Sequence, residues 1–140
     1  MSINASLELV ERKLTETLGK NIEVESSEKI VSNTNIIDDL CTETSSSIED
    51  LECVEWRVWS DERPSSIARV VFVCSDSFLY IKWTRVLVEG KGIATIFWKT
   101  ICHESSKTVF AKPVSEPMMH IADKIGFDEC RFNKSIVSYK

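Results

Sequence analysis

Residues 78–88 alternate apolar and polar side chains as a strand does and run directly into Glu89-Gly90-Lys91-Gly92-Ile93-Ala94-Thr95. Beyond the glycines, Ile93, Ile96, Phe97 and Ile101 recur on one face of a helix. A strand, a glycine turn and a helix in that order must bring a sheet end and a helix N-terminus together. The first-turn amides of such a helix point outward without partners, and two glycines and an alanine let a ligand approach the backbone. A pyrophosphate fits that geometry. The turn is neither a P-loop, which needs G-x-x-x-x-G-K-[ST], nor a dinucleotide fingerprint.

The rest of the chain supplies a sheet for this unit. Residues 53–59 alternate around Val54, Trp56 and Val58, residues 68–74 form a β-branched and aromatic run, and residues 78–88 follow after a Ser75-Asp76-Ser77 turn. Three antiparallel strands in succession are the simplest arrangement. A helix over residues 92–103, a strand at 108–111, a helix at 115–125 and short strands around Cys130 and over 135–139 complete this half. Ser115 is placed to cap its helix, Pro117 suits a first turn, and Gly126 ends it. At the front, Leu7, Val10, Leu14 and Leu18 predict an amphipathic helix over residues 4–18 that stops at Gly19. One or two short strands follow at 22–24 and 30–31. Residues 36–51 read as a surface loop or a short helix.

A chain of 140 residues fits one domain, with 1–52 as its front and 53–140 as its motif-bearing core. The fold class expected is α/β (α+β), a mixed and largely antiparallel sheet of six or seven strands flanked by helices. No apolar run approaches the roughly 20 residues that span a bilayer, and no signal-peptide pattern opens the chain, so a cytoplasmic protein without a membrane partner is expected. Cys41, Cys53, Cys74, Cys102 and Cys130 are an odd number without a C-x-x-C pair, which reads as reduced, buried thiols. Two histidines and scattered cysteines make no metal site by spacing.

Net charge is −5, and residues 38–62 carry nine acidic side chains against one basic, Arg57. A net acidic chain without a basic stripe argues against direct nucleic-acid binding. The acidic stretch is a solvated face or an attractor of a cationic acceptor. Of the four tryptophans, Trp56, Trp59, Trp83 and Trp98, core packing is the simplest account, with Trp59 and Trp83 placed near a cleft.

Taken together, the glycine turn and the 115–127 segment resemble the GNAT family, the acyl-CoA-dependent N-acetyltransferases. In that family a strand leads into Q/R-x-x-G-x-G/A at the start of a helix, followed by Asn or Ser, a short helix and a Tyr-x-Lys-x-Gly-Phe-like ending. Here Gly92 and Ala94 take the two small positions, Ser115 the Asn/Ser position, and Lys124-Ile125-Gly126-Phe127 the ending. Glu89 stands where Gln or Arg is usual, and Ala122 where many members have the tyrosine that protonates the departing thiolate. The resemblance covers residues 54–139.

The resemblance implies direct attack of an acceptor amine on an acyl-CoA thioester, with acetyl-CoA as the donor and no metal. Gly90, Lys91, Gly92, Ile93, Ala94 and Thr95 would hold the pyrophosphate, with Ser115 alongside. Trp83, Thr84, Arg85 and Val86 would pair with the pantetheine arm, and a strand amide would polarise the thioester carbonyl. Candidate general bases are Glu55, Asp61, Glu62 and His120, each with an ordinary surface role as the alternative. Cys102-His103-Glu104 is no nucleophile–base pair, since helical neighbours do not face each other. Glu89 and Ala122 keep a second reading open, a GNAT-like binding or regulatory protein without catalysis. A third is an acidic inhibitor using the 38–62 surface against a basic partner. A homo-oligomer is left open.

Overall fold

The computed structural model describes residues 3–31, 34–62, 64–88 and 92–140. In chain order the elements are α1 (Ile3–Leu18), β1 (Ile22–Lys29), α2 (Asn35–Thr44), β2 (Glu52–Ser60), β3 (Ala68–Cys74), β4 (Phe78–Val86), α3 (Ile93–Glu104), β5 (Thr108–Ala111), α4 (Glu116–Ile125), β6 (Asp128–Glu129) and β7 (Val137–Tyr139), with a 3-10 turn at Ile48–Asp50. The strands form a seven-stranded sheet in the order β1-β2-β3-β4-β5-β7-β6. Every neighbouring pair is antiparallel except β4 and β5, which run parallel with α3 as their crossover. This is the mixed, largely antiparallel α/β architecture expected from the alternating runs.

The two sheet faces have separate cores. On one, Val10 and Leu14 of α1 and Phe97 and Ile101 of α3 pack against Trp56, Phe72 and Ile81. The Trp56 and Phe72 rings meet edge to face at 5.0 Å. Glu11 of α1 accepts a hydrogen bond from the Val24 N–H, tying that helix to the sheet. On the other face, Ile37, Leu40 and Cys41 of α2 cover Val73, Phe78, Tyr80 and Phe110.

At the front, one open alternative is decided and one element differs from expectation. Residues 35–44 form a regular helix because Ile37, Leu40 and Cys41 supply one buried stripe and Thr34 accepts the Ile37 N–H as its cap. β1 is one eight-residue strand, paired with β2 along its whole length despite Ser26 and Ser27. The expected strand at 30–31 is absent, and Ile30 is almost fully exposed. Likewise β6 lies at Asp128–Glu129, just before Cys130.

Glu55 is the one buried charge at the middle of this sheet, 1% exposed. Its carboxylate accepts from Arg69 Nε at 3.0 Å and Arg69 Nη2, from Arg57 Nε at 3.1 Å, and faces Lys29 Nζ at 3.4 Å. Burial pushes its pKa up, but the hydrogen bonds from Arg69, Arg57 and Lys29 outweigh this and hold it below the ordinary carboxylate range. Four side chains from three strands thereby share one charge centre. Removing the carboxylate leaves three cations facing one another, a loss moderated by their partial exposure. Glu55→Gln is expected to lower stability by about 2 kcal/mol at neutral pH in urea unfolding. A carboxylate with a depressed folded-state value stabilises above its unfolded value and loses this as pH falls through the folded one. The gap between parent and variant should therefore close as pH falls below the carboxylate range.

Candidate cofactor groove and transfer site

The sheet opens at β4. Pairing with β5 covers only Phe78, Leu79, Tyr80 and Ile81, against Thr108, Val109, Phe110 and Ala111, whereas β4 continues to Val86. Two local causes act at the same level. In the β3–β4 ladder the register jumps so that Phe72 faces Ile81 while Val71 faces Trp83, which leaves Lys82 as an extra residue and bends β4. On the other side β5 ends at Ala111, and Pro113 has no N–H with which to extend the ladder. Residues 82–86 of β4 thus lack a strand partner on the β5 side.

The starts of two helices meet beside this opening. Gly92 caps α3 in the left-handed conformation at φ 71°, with no side-chain hydrogen bond on the first-turn amides. A Cβ built on Gly92 meets no atom within 4 Å, so its open side faces free space. Ser115 caps α4, accepting the Met118 N–H. Between them lies a groove of about 450 Å³, lined by Val86, Val88, Gly92, Ile93, Ala94, Thr95 and Ser115 and floored by Pro117, Met118 and Ile121. Its size and mostly apolar walls suit part of an extended small-molecule ligand.

A second, smaller chamber of about 160 Å³ fills the wedge between the diverging strands. Ile81, Lys82, Trp83 and Thr84 line it from β4, Lys112, Pro113 and Val114 from the segment after β5, and Trp98 from α3. Trp98 is buried and donates its indole N–H to Thr84 Oγ1 at 3.0 Å, fixing α3 to the unpaired part of β4. Met118 borders both chambers.

The structure thus gathers Gly92, Ile93, Ala94, Thr95, Ser115 and Val86 around the groove and Trp83 and Thr84 around the chamber. Arg85 stands on the other sheet face, opposite Arg69. Glu89, Gly90 and Lys91 lie outside the described residues. Glu55 sits on the face away from the groove, engaged by its three cations. His120 is exposed on α4 and lines neither chamber, and Asp61 and Glu62 lie in the exposed turn after β2. Ala122 is buried in the core. Burial pushes the Cys102 thiol up to about 12, which keeps it inert, while the His103 ring packs beside Tyr139. Among the described residues no cluster of His, Cys, Asp and Glu could hold a metal ion. Of the four tryptophans that could line a cleft, Trp83 and Trp98 line the chamber and Trp59, expected near it, does not; the sequence reading missed Met118 and Pro113 as lining residues. Pro113 was the available signal, since a proline after a short strand marks where a ladder stops.

At Gly92 the positive φ alone, not crowding, disfavours a side chain. Gly92→Ala is expected to lower stability by about 1 kcal/mol in urea unfolding, with the groove still open.

No family model and no curated protein matches the chain. Among solved structures, a chain of the KacTA–DNA complex aligns at 9% identity over 84% of this chain and 92% of its own, with a TM-score of 0.49. A tandem GNAT protein from the clavulanic acid biosynthesis pathway, solved without AcCoA, aligns at 12% identity over 78% of this chain and 45% of its own, with a TM-score of 0.49. A GNAT-family protein from Desulfovibrio desulfuricans aligns at 10% identity over 84% of this chain and 97% of its own, with a TM-score of 0.46. All three likenesses are at low identity, with TM-scores below 0.5.

Proposed function

We propose that the protein is an acyl-CoA-dependent N-acyltransferase that moves an acetyl group to an amine acceptor by direct attack. The observation that carries this reading is the adjacency of the groove at the α3 and α4 starts to the wedge where β4 leaves β5, the two sharing Met118 as a wall. In it, the uncapped amides of Ile93, Ala94 and Thr95 receive the pyrophosphate, and the open side of Gly92 leaves room for its oxygens. The unpaired edge of residues 82–86 takes the amide-bearing arm as a short extra strand. One of its N–H groups polarises the thioester carbonyl, and the chamber beside Trp98 holds the short acyl group. Lys82 and Lys112, the cations lining that chamber, offset the charge of the departing thiolate in place of the tyrosine that Ala122 replaces.

No carboxylate or imidazole lines either chamber among the described residues. Under this proposal the acceptor amine arrives neutral, the proton its nitrogen loses on forming the amide passes to the departing thiolate, and Glu55, held by three cations, takes no proton. The transfer rate is then expected to rise about tenfold per pH unit until the acceptor's own pKa is reached. A pH–rate profile that levels off well below that value would place a base at the site.

The same lack of a base favours a second reading, a GNAT-like protein that binds the cofactor without turnover. Calorimetric titration with acetyl-CoA tests both readings. Micromolar binding by the parent and by Gly92→Ala, abolished in Gly92→Glu, is expected, since a glutamate at that position puts a carboxylate against the phosphates. Binding accompanied by acetyl transfer in an amine screen supports the enzyme, and binding without it supports the second reading. No binding by the parent protein contradicts both.

A further inference from the structure

The half of the sheet not covered by α2 carries an unusual charge pattern. Arg57 of β2 lies directly opposite Arg69 of β3, and Arg69 directly opposite Arg85 of β4. Like charges in directly opposed cross-strand positions destabilise a sheet. The three arginine backbone positions stand in one row about 10 Å long, two strand spacings, and the Arg57 and Arg69 guanidiniums turn toward Glu55 while each keeps part of its surface open. Arg57 and Arg69 keep 37% and 32% of their side chains exposed, and Arg85 is exposed.

Two tryptophans flank the row on the same face. Trp59 is two residues beyond Arg57 on β2, and Trp83 two residues before Arg85 on β4. Trp83 is 38% exposed, with the Arg69 guanidinium over its ring at 5.4 Å. The charged groups on this half-face are Lys29, Arg57, Arg69, Lys82 and Arg85 against Glu23, Glu25 and the buried Glu55. The local sign is therefore positive on a chain whose net charge is −5. Exposed Asp38 and Asp39 of α2 border the far end of the face and would turn a polyanion away from it.

We infer that this face binds single-stranded nucleic acid, with the arginine row on successive phosphates and Trp83 and Trp59 as stacking platforms. Guanidinium forks suit phosphate oxygens, and aromatic faces accept any unpaired base. A row of three arginines exceeds what one phosphate needs and suits a phosphodiester chain. The arginine row lies on the opposite sheet face from the Gly92 groove, while Trp83 and Lys82 also line the chamber beside Trp98; the Arg85 side chain lines neither chamber, so its salt slope reads this inference separately from the acyltransfer proposal. Net charge argued the other way because it sums the whole chain, in which 22 acidic residues outnumber 17 lysines and arginines.

Fluorescence anisotropy of an end-labelled oligothymidylate tests the inference on the full chain. Binding is expected at low salt, weakening steeply from about 50 to about 200 mM. Arg85→Gln should weaken binding and reduce the log–log salt slope by about 0.7, one phosphate contact on a single strand. Trp83→Leu should weaken binding about tenfold, a loss of stacking that salt does not restore. Lys99→Gln, exposed on α3 across the sheet, should bind as the parent does. Near-ultraviolet circular dichroism confirms that each variant folds, and Arg85→Gln alone suffices if Trp83→Leu does not. No binding at low salt overturns the inference. So does parent-like binding by the folded variants, or displacement by polyglutamate as effective as by unlabelled oligothymidylate.

Discussion

The departure of β4 from β5 is the constraint on which the rest of the site depends. A parallel pair that stayed in register to its end would bury the amides of residues 82–86 in ladder hydrogen bonds and close the wedge. Instead, the extra residue at Lys82 bends one strand where Pro113 prevents the other from following. The Trp98 indole holds the bent strand against α3 through Thr84, so the opening is braced by the core on one side. The short crossover from β4 then delivers the start of α3 to the mouth of the opening. A proline, a bulge and one indole hydrogen bond produce a cavity in a sheet that is otherwise continuously paired.

The two faces of the sheet divide the remaining chemistry. The face under α1 and α3 is apolar and rigid, with Trp56, Phe72 and Phe97 fully buried, and it carries the groove. The other is apolar only under α2 and ionic elsewhere. Glu55 makes that ionic half possible, since without its carboxylate Lys29, Arg57 and Arg69 would be a cluster of cations on adjacent strands. Its depressed pKa follows from serving as their common counter-ion, and the same partners make it a weak proton acceptor. A charge centre of this kind stabilises by geometry as much as by Coulomb attraction, because the Arg69 fork fixes the strand register through two donors.

Much of the fold was legible because its signals were local. The run 68–74, the alternation of 78–88, the Ser115 cap and the Gly126 stop each specify one element without tertiary help, and each forms as read. The front was harder. Ser26 and Ser27 give β1 no strand propensity, and it forms because β2 offers a full-length partner. α2 is short, and only its docking on Val73 and Phe78 shows which of its residues form the buried stripe. The site divides in the same way. Gly92, Ala94 and Ser115 could be named because a helix start has a sequence signature. The arginine row could not, since Arg57, Arg69 and Arg85 lie far apart in sequence and become neighbours only once the strand registers are fixed. The wedge depended on a bulge at Lys82 that no local composition announces.

The central claim is that residues 82–86 and the first turn of α3 form one binding surface. Amide proton–nitrogen spectra of the isotopically labelled protein, recorded with and without acetyl-CoA, test it residue by residue. The account predicts that the largest shifts fall on the amides of Gly92, Ile93, Ala94 and Thr95 and on those of Trp83, Thr84, Arg85 and Val86, with β1 unchanged. Shifts concentrated on β1 and β2, or a spectrum unaltered by saturating acetyl-CoA, would contradict it.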